Sequence, residues 1–217
     1  MVSIPTKQNC MHLLKLTYRV PQNIIDHSIQ VNKVAVFLAL KLNEKNINVD
    51  VDLVDRASIL HDVLKVIEIH NLFGLINPEN NEPLVVSKKD RLIWLDLKNK
   101  YGHLTHEEAA YEVFKEKYPE MAEIIRKHGY INIEDNQLKT WEEKIVHYAD
   151  KRVKHSKIVL MEDRLQEGHK RYHEKNKLKG IDEEFQNKVD KKLFELEKEI
   201  FNKLDFSPDE LMNLLND

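Results

Sequence analysis

The stretch ASILHDVLK at residues 57–65 places a histidine and a carboxylate, His61 and Asp62, inside an otherwise apolar run. Both side chains are costly to remove from water unless a partner compensates, and both are ligands for divalent metal ions. The helical pattern of the stretch nevertheless predicts that they face the protein interior. We therefore expect these two residues to bind something buried.

Further side chains that can bind a metal share this placement. The chain has 11 histidines among 217 residues, and several of them, with one aspartate, fall on apolar faces of predicted helices. A lone histidine on such a face is more often a hydrogen-bonded core residue than a ligand. Separate residues would each need their own partner, whereas one metal centre would satisfy all of them at once. The candidate ligands are His27, His61, Asp62, His106, His128 and Asp150.

The elements that must position these residues are predicted to be helices. Only five glycines and six prolines, with 41% hydrophobic residues, favour a single all-α domain. Asp50, Ser87, Thr105 and Thr140 stand where N-terminal helix caps are expected. The predicted helices are 24–42, 51–67, one from 87, 106–118, 119–129, 141–153, 178–204 and a last short one from 207. Residues 68–86, with a glycine and two prolines, are predicted as a loop, and no strand is predicted.

Composition and charge exclude several classes of function. The formal net charge is −3 and shows no basic excess, so there is no strong signal for nucleic-acid binding. Cys10 is the only cysteine, which excludes a disulfide framework and a thiolate zinc cluster. The longest apolar segment, 34–40, is too short to span a membrane. With no signal-peptide pattern at the N-terminus, a cytoplasmic location is expected.

The order of the candidate ligands resembles a known signature. His27, then His61-Asp62, then Asp150 is similar to the H…HD…D pattern of the HD-domain superfamily of metal-dependent phosphohydrolases. DHSIQVNKVAVFLA and EEKIVHYADKRV resemble the helices that carry the first and last ligands, and ASILHDVLK resembles the central motif. Leu64 stands where the family commonly has glycine, which questions the local turn. The resemblance covers about 20–165 and implies an HD-type domain in 1–170, with a helical extension, 171–217, packed on it.

The resemblance implies a role for each matching residue. His27, His61 and Asp150 would be terminal metal ligands, Asp62 would bridge two ions, and Lys65 would bind a phosphate oxygen. The segment HEEAAYEVFKEKYPEMAEIIRKHG resembles the two-metal H-HD-H-H-D subset, in which His106 and His128 would bind a second ion. His103 is an alternative ligand or substrate contact, and His147 and Lys151 flank Asp150 either in the cleft or at the surface.

The expected chemistry follows from this ligand set. Nitrogen and carboxylate ligands without thiolate suit Mn²⁺, Fe²⁺, Co²⁺, Ni²⁺, Zn²⁺ or Mg²⁺, as one or two ions per chain. Such an ion lowers the pKa of bound water from ~15.7 toward ~7 and so makes hydroxide available to attack phosphorus. The resemblance implies hydrolysis of a phosphomonoester or phosphodiester of a small phosphorylated substrate, with a nucleotide or a related molecule as the leading candidate.

Three alternatives stay open at this point. The same ligand set occurs in relatives that are di-iron oxygenases, and a non-catalytic nucleotide-sensing module would also keep the ligands. Separately, the apolar stripe of the helix predicted at 178–204 either packs on the domain or forms a homodimer.

Overall fold

The fold was described from a computed structural model that covers residues 3–69, 75–77, 79–134, 136–178 and 180–216. Helices dominate these residues, which confirms the all-α prediction. The α-helices are α1 (Lys7–His12), α2 (Gln22–Glu44), α3 (Val51–Leu60), α4 (Lys88–Tyr101), α5 (His106–Phe114), α6 (Pro119–Arg126), α7 (Trp141–Asp150), α8 (Met161–Leu178), α9 (Glu183–Phe201) and α10 (Leu211–Asn216). A π-helical segment follows α1 (Leu13–Thr17), and 3₁₀ turns occur at Lys65–Glu68, Tyr130–Ile133 and Pro208–Glu210.

The predicted caps begin the helices as expected. The side chains of Asp50, Ser87, Thr105 and Thr140 each accept a hydrogen bond from a backbone N–H in the first turn of α3, α4, α5 and α7. The three hydroxyl caps also form complete capping boxes, in which the side chain of the residue three positions later accepts from the backbone N–H of the cap.

The core lies where α2 packs against α3 and α7, and where α3 packs against α6 and α7. Val31, Val34 and Leu38 on the inner face of α2 are fully buried. His27 stands one turn before Val31 on this face, so the packing of the core fixes its position.

Several helices end earlier than predicted. α3 ends at Leu60, so His61 and Asp62 lie in the turn that follows it rather than inside a helix. The chain passes Leu64 with φ −102° and ψ 14°, a conformation that leucine adopts without strain, so the turn forms without glycine. α5, α6 and α7 likewise end at Phe114, Arg126 and Asp150, short of their predicted ends.

The C-terminal third differs from the prediction. The expected helix at 178–204 is wrong at its start, because the chain turns between α8 and α9. A short hairpin, β1 (Val153–Lys154) paired antiparallel with β2 (Lys157–Ile158), precedes α8 where no strand was predicted. α9 packs against α7, and its stripe, Val189, Leu193, Leu196 and Ile200, is buried within the chain.

The described residues cover the predicted loop at 68–86 only in part, and they do not test the predicted division at residue 170. Residues 70–74 and 78 of the predicted loop lie outside the described residues, and Ile76 and Pro83 form an isolated bridge. The division at residue 170 stays a prediction, and α8 runs through that position. Within the described part of the chain, no helix has the length and apolar character needed to cross a membrane.

Candidate metal centre

The six predicted ligands come together from five chain segments. His27 projects from α2, and His61 and Asp62 directly follow α3. His106 is the first residue of α5, His128 stands two residues beyond α6, and Asp150 is the last residue of α7. Five of the six ligands therefore stand at a helix terminus or just beyond one, whereas His27 lies in the second turn of α2.

Main-chain carbonyls fix the tautomer of three of the histidines. In each, the Nδ1–H donates to a carbonyl oxygen, and because a carbonyl only accepts, Nδ1 must carry a proton, so that Nε2 is the atom with the lone pair when the ring is neutral. The pairs are His27 with His155 O at 2.8 Å, His61 with Ser58 O at 2.7 Å and His128 with Ile125 O at 2.6 Å.

The fourth histidine is held by a side chain. His106 Nδ1 lies 2.7 Å from Glu68 Oε1 and 3.2 Å from Glu107 Oε2, so it too carries its proton on Nδ1. Neither glutamate was singled out from the sequence. Glu68 lies three residues beyond Lys65, and Glu107 directly follows His106. Proximity to these residues in the sequence was the one signal that could have suggested either glutamate.

The four Nε2 atoms face two carboxylates. Asp150 Oδ1 lies 3.0 Å from His27 Nε2 and 3.7 Å from His61 Nε2. Asp62 Oδ2 lies 3.7 Å from His61 Nε2, while its Oδ1 lies 2.9 Å from His106 Nε2 and 3.5 Å from His128 Nε2. The two oxygens of Asp62 thus face different histidines, which is the placement that a bridging carboxylate needs.

This arrangement fits a bound cation. When these rings are neutral, their Nε2 lone pairs face carboxylate oxygens, and a cation between them removes the repulsion. His61 Nε2 is fully buried and has no hydrogen-bond partner among the described residues, and such a group is costly to leave unsatisfied. Three sets of donor atoms each lie within 4.8 Å of one another: His27, His61 and Asp150; His61, Asp62 and His128; and His106, Glu107 and His128.

The charges of the two carboxylates also favour a bound cation. Burial opposes ionisation of Asp62, but the Lys65 ammonium holds its pKa well below the usual value. Burial also opposes ionisation of Asp150, and the Lys151 ammonium, which donates to its Oδ2 at 2.6 Å, holds the pKa of that carboxyl well below normal. Both carboxylates are therefore ionised at neutral pH, as metal ligands must be.

A cleft of about 520 Å³ opens above these residues. His27, Asp62, His106, His128 and Asp150 line it, whereas His61 is fully buried beneath them. Lys65 and Lys151 line it as well.

The two lysines hold defined positions. Lys65 Nζ lies 3.1 Å from His106 Nε2 and 3.7 Å from Asp62 Oδ1. Lys151 donates to the carbonyl of His128 at 3.0 Å as well as to Asp150. Positive charge thus stands directly beside the candidate metal ligands.

Two of the alternative residues lie elsewhere. His103 is exposed and lines a separate surface depression with Tyr101 and Tyr111. His147 is fully buried, donates from Nδ1 to the carbonyl of Lys127 at 3.0 Å and does not line the cleft. Burial lowers the pKa of His147 to about 3, so this side chain stays neutral in the core.

Comparison with known proteins agrees with this description. The family model described as HD domain matches residues 24–153, which is more than half of the chain and spans the ligand segments. Comparisons with curated proteins and with solved structures gave no match. The chain therefore belongs to the HD-domain family, whose members are generally metal-dependent phosphohydrolases.

Proposed function

We propose that the protein is a metal-dependent phosphohydrolase that uses two divalent ions to cleave a phosphate ester of a small molecule. The observation that carries the proposal is the convergence of four histidine Nε2 lone pairs on Asp62 and Asp150, beside two lysines in an open cleft. His27, His61, Asp62 and Asp150 would hold one ion, and Asp62, His106 and His128 the other.

A bound divalent ion supplies charge that polarises the phosphate and makes water a nucleophile at neutral pH. The side chains around it keep the site ready for this ligand. Glu68 and the carbonyls behind the other histidines accept the Nδ1–H of each ring and so aim Nε2, the atom that would bind the metal, at the centre. Lys151 holds Asp150 in place by donating to its outer oxygen.

Lys65 is the residue that we assign to the phosphate. Although burial favours its neutral form, the Asp62 carboxylate raises its pKa, so it carries a positive charge throughout the physiological range. Its ammonium has three donors, and it lines the cleft next to Asp62 and His106. A phosphate oxygen at this position would receive a charge-assisted hydrogen bond, which strengthens as charge develops on the equatorial oxygens.

The substrate class remains a proposal. The cleft volume lies within the range of small-molecule sites, and Tyr130 and Tyr172 among its lining residues offer apolar ring surface. Both features suit a phosphorylated small molecule with an organic leaving group, such as a nucleotide. The homodimer also stays a proposal, and sedimentation of the full chain would test it.

The experiment combines metal analysis with turnover. Protein purified without added metal is analysed for metal content, then loaded with Mn²⁺ or Mg²⁺ and assayed anaerobically for phosphate release from monoesters and diesters. We expect about two ions per chain and turnover that is lost in His61→Ala and Asp62→Ala. His173→Ala is the matched control, because His173 is exposed on α8 and does not line the cleft.

Two results would contradict the proposal. Unchanged metal content and turnover in His61→Ala and Asp62→Ala would show that these residues are structural. Substrate-dependent O₂ uptake by iron-loaded protein, without anaerobic phosphate release, would assign the site to oxygenase chemistry instead.

A further inference from the structure

One wall of the cleft comes from α8, which lies beyond the matched residues 24–153. Arg164, Gly168, Arg171 and Tyr172 all line the cleft. Their spacing of four, seven and eight residues places them on one face of the helix. The helix thus presents polar and charged side chains, together with Leu165, to the space above the metal centre.

The two arginines on this face share one carboxylate. Glu167 Oε2 lies 3.2 Å from Arg164 Nη1, and Glu167 Oε1 pairs with Arg171 Nη2. Two guanidinium groups against a single carboxylate leave one positive charge on the wall. Arg164 is further anchored because its Nε–H donates to the carbonyl of Val153 at 2.9 Å.

Tyr172 lines the same cleft as Lys65 and the two arginines. The Lys65 ammonium lowers the pKa of the Tyr172 phenol, and Arg171 and Arg164 act in the same direction although burial opposes them. Tyr172 therefore lies within reach of the charges on both Lys65 and the arginines. A substrate bound with its phosphate at Lys65 would extend past Tyr172 toward Arg164 and Arg171.

A glycine in the middle of the wall keeps space for this arrangement. Gly168 is unfavourable inside a helix, and its backbone does not require glycine, because its φ lies outside the positive region that favours this residue. A Cβ at position 168 would lie 3.1 Å from Arg164 Nη1, closer than most such contacts. Glycine thus leaves room for the Arg164 guanidinium at the edge of the cleft.

We propose that Arg164 and Arg171 on α8 bind a second anionic group of the substrate, and that Tyr172 positions the chain that links this group to the reacting phosphate. The inference rests on the proposed phosphohydrolase function, and it narrows the substrate class. The preferred substrate carries a carboxylate or a further phosphate in addition to the phosphate that is cleaved.

The test measures binding, so that it does not depend on turnover. Affinities of 3-phosphonopropionate and 4-phosphonobutyrate for the Mn²⁺-loaded full chain are compared by calorimetry with those of propylphosphonate and butylphosphonate, in which a methyl group replaces the carboxylate. Propane-1,3-bisphosphonate places a second phosphonate in the same position. We expect at least one doubly anionic compound to bind about 10-fold or more tightly than its singly anionic match, as charge-assisted hydrogen bonds imply.

Variants of α8 assign the effect to the arginines. In Arg164→Gln/Arg171→Gln the preference for the doubly anionic compound should fall to within about twofold. Arg171→Gln alone should also lower this preference, and because Arg171 is exposed, we expect this single variant to fold. Glu167→Gln should raise the preference, because it removes the carboxylate that competes for both guanidinium groups. Lys170→Gln is the matched control, since Lys170 is exposed, carries the same charge and does not line the cleft.

Failure of this inference is distinct from failure of the proposed function. Equal affinities within every matched pair, or a preference that persists in the double variant, would overturn the role of the wall whether or not any ester is hydrolysed. An arginine-dependent preference in a protein that hydrolyses no phosphate ester would support the wall and overturn the hydrolase. With turnover present, kcat/KM for 3-phosphoglycerate against glycerol 1-phosphate should show the same arginine-dependent preference.

Discussion

Glu68→Gln should weaken binding of the ion at His106 while leaving the ion at His27, His61 and Asp150 in place. Glu68 accepts the Nδ1–H of His106 at 2.7 Å, a short charge-assisted contact that holds Nε2 toward Asp62. A carboxylate behind a metal-bound histidine typically accounts for 10- to 100-fold in metal affinity, which is about 1.4–2.7 kcal/mol.

Two features of the site place the effect of Glu68→Gln at the lower end of this 10- to 100-fold range of metal affinity. The Glu68 side chain is 22% exposed, so water partly screens its charge. Glu107 Oε2 also lies 3.2 Å from the same Nδ1 and remains as a second acceptor. We therefore expect a loss of about 10-fold for Glu68→Gln and a loss approaching 100-fold for Glu68→Gln/Glu107→Gln.

Titration with Mn²⁺, followed by the electron paramagnetic resonance signal of the free ion, resolves the two affinities. Glu112→Gln is the control. Glu112 lies on α5, as Glu107 does, and its substitution removes one negative charge, but its side chain pairs with Lys115 at the surface. The reasoning is refuted if the double variant binds both ions with the affinities of the control. A loss of both ions would instead show that Glu68 supports the whole site rather than His106.

Three further predictions follow from the same contacts. His106→Ala/His128→Ala should lose about one metal ion per chain by elemental analysis and keep the other; unchanged stoichiometry would make both histidines structural. Lys65→Ala should keep its metal but release phosphate roughly 10- to 150-fold more slowly, as loss of a charged hydrogen bond implies; unchanged kcat/KM would remove its assigned role. Cys10 is fully buried, which raises its thiol pKa to about 11, so iodoacetamide at pH 8 should label it only on unfolding. A metal ion at 100 times its Kd should raise the free energy of unfolding by about 2.7 kcal/mol, so labelling should then need a higher urea concentration. Rapid labelling of the native chain would refute the burial of Cys10.

The helical setting of the candidate ligands could be predicted because helix caps and apolar periodicity are local signals, whereas the ligand set itself stays a prediction. Capping residues such as Thr105 and Thr140 act within one turn, so their role can be recognised without knowledge of the tertiary structure. The end of α3 could not be recognised in this way. The Ser58 carbonyl accepts a hydrogen bond from the His61 ring. The backbone beyond α3 then continues with i to i+3 hydrogen bonds, such as that from Val63 N–H to Leu60 O. Both depend on the assembled site.

The helix α8 was missed for a different reason. Hydrophobic periodicity identifies a helix by the stripe that it buries in a core, but the inner face of α8 lines a cleft and carries Arg164, Arg171 and Tyr172. Because Met161 and Leu165 are interspersed with these polar side chains, α8 has only a weak apolar stripe to detect. Glu68 was missed because its contact with His106 joins residues 38 positions apart, and the proximity of Glu68 to Lys65 in the sequence does not by itself indicate that contact.

The way in which the histidines are oriented has a consequence for how the site can change by mutation. Three of them are held by main-chain carbonyls, which are present whatever side chain occupies those positions. His106 alone is held by carboxylate side chains, which a single substitution can remove. The orientations of the histidines therefore differ in robustness: point mutations at Glu68 and Glu107 can change that of His106, whereas those of His27, His61 and His128 change only when the histidine itself or the local backbone changes.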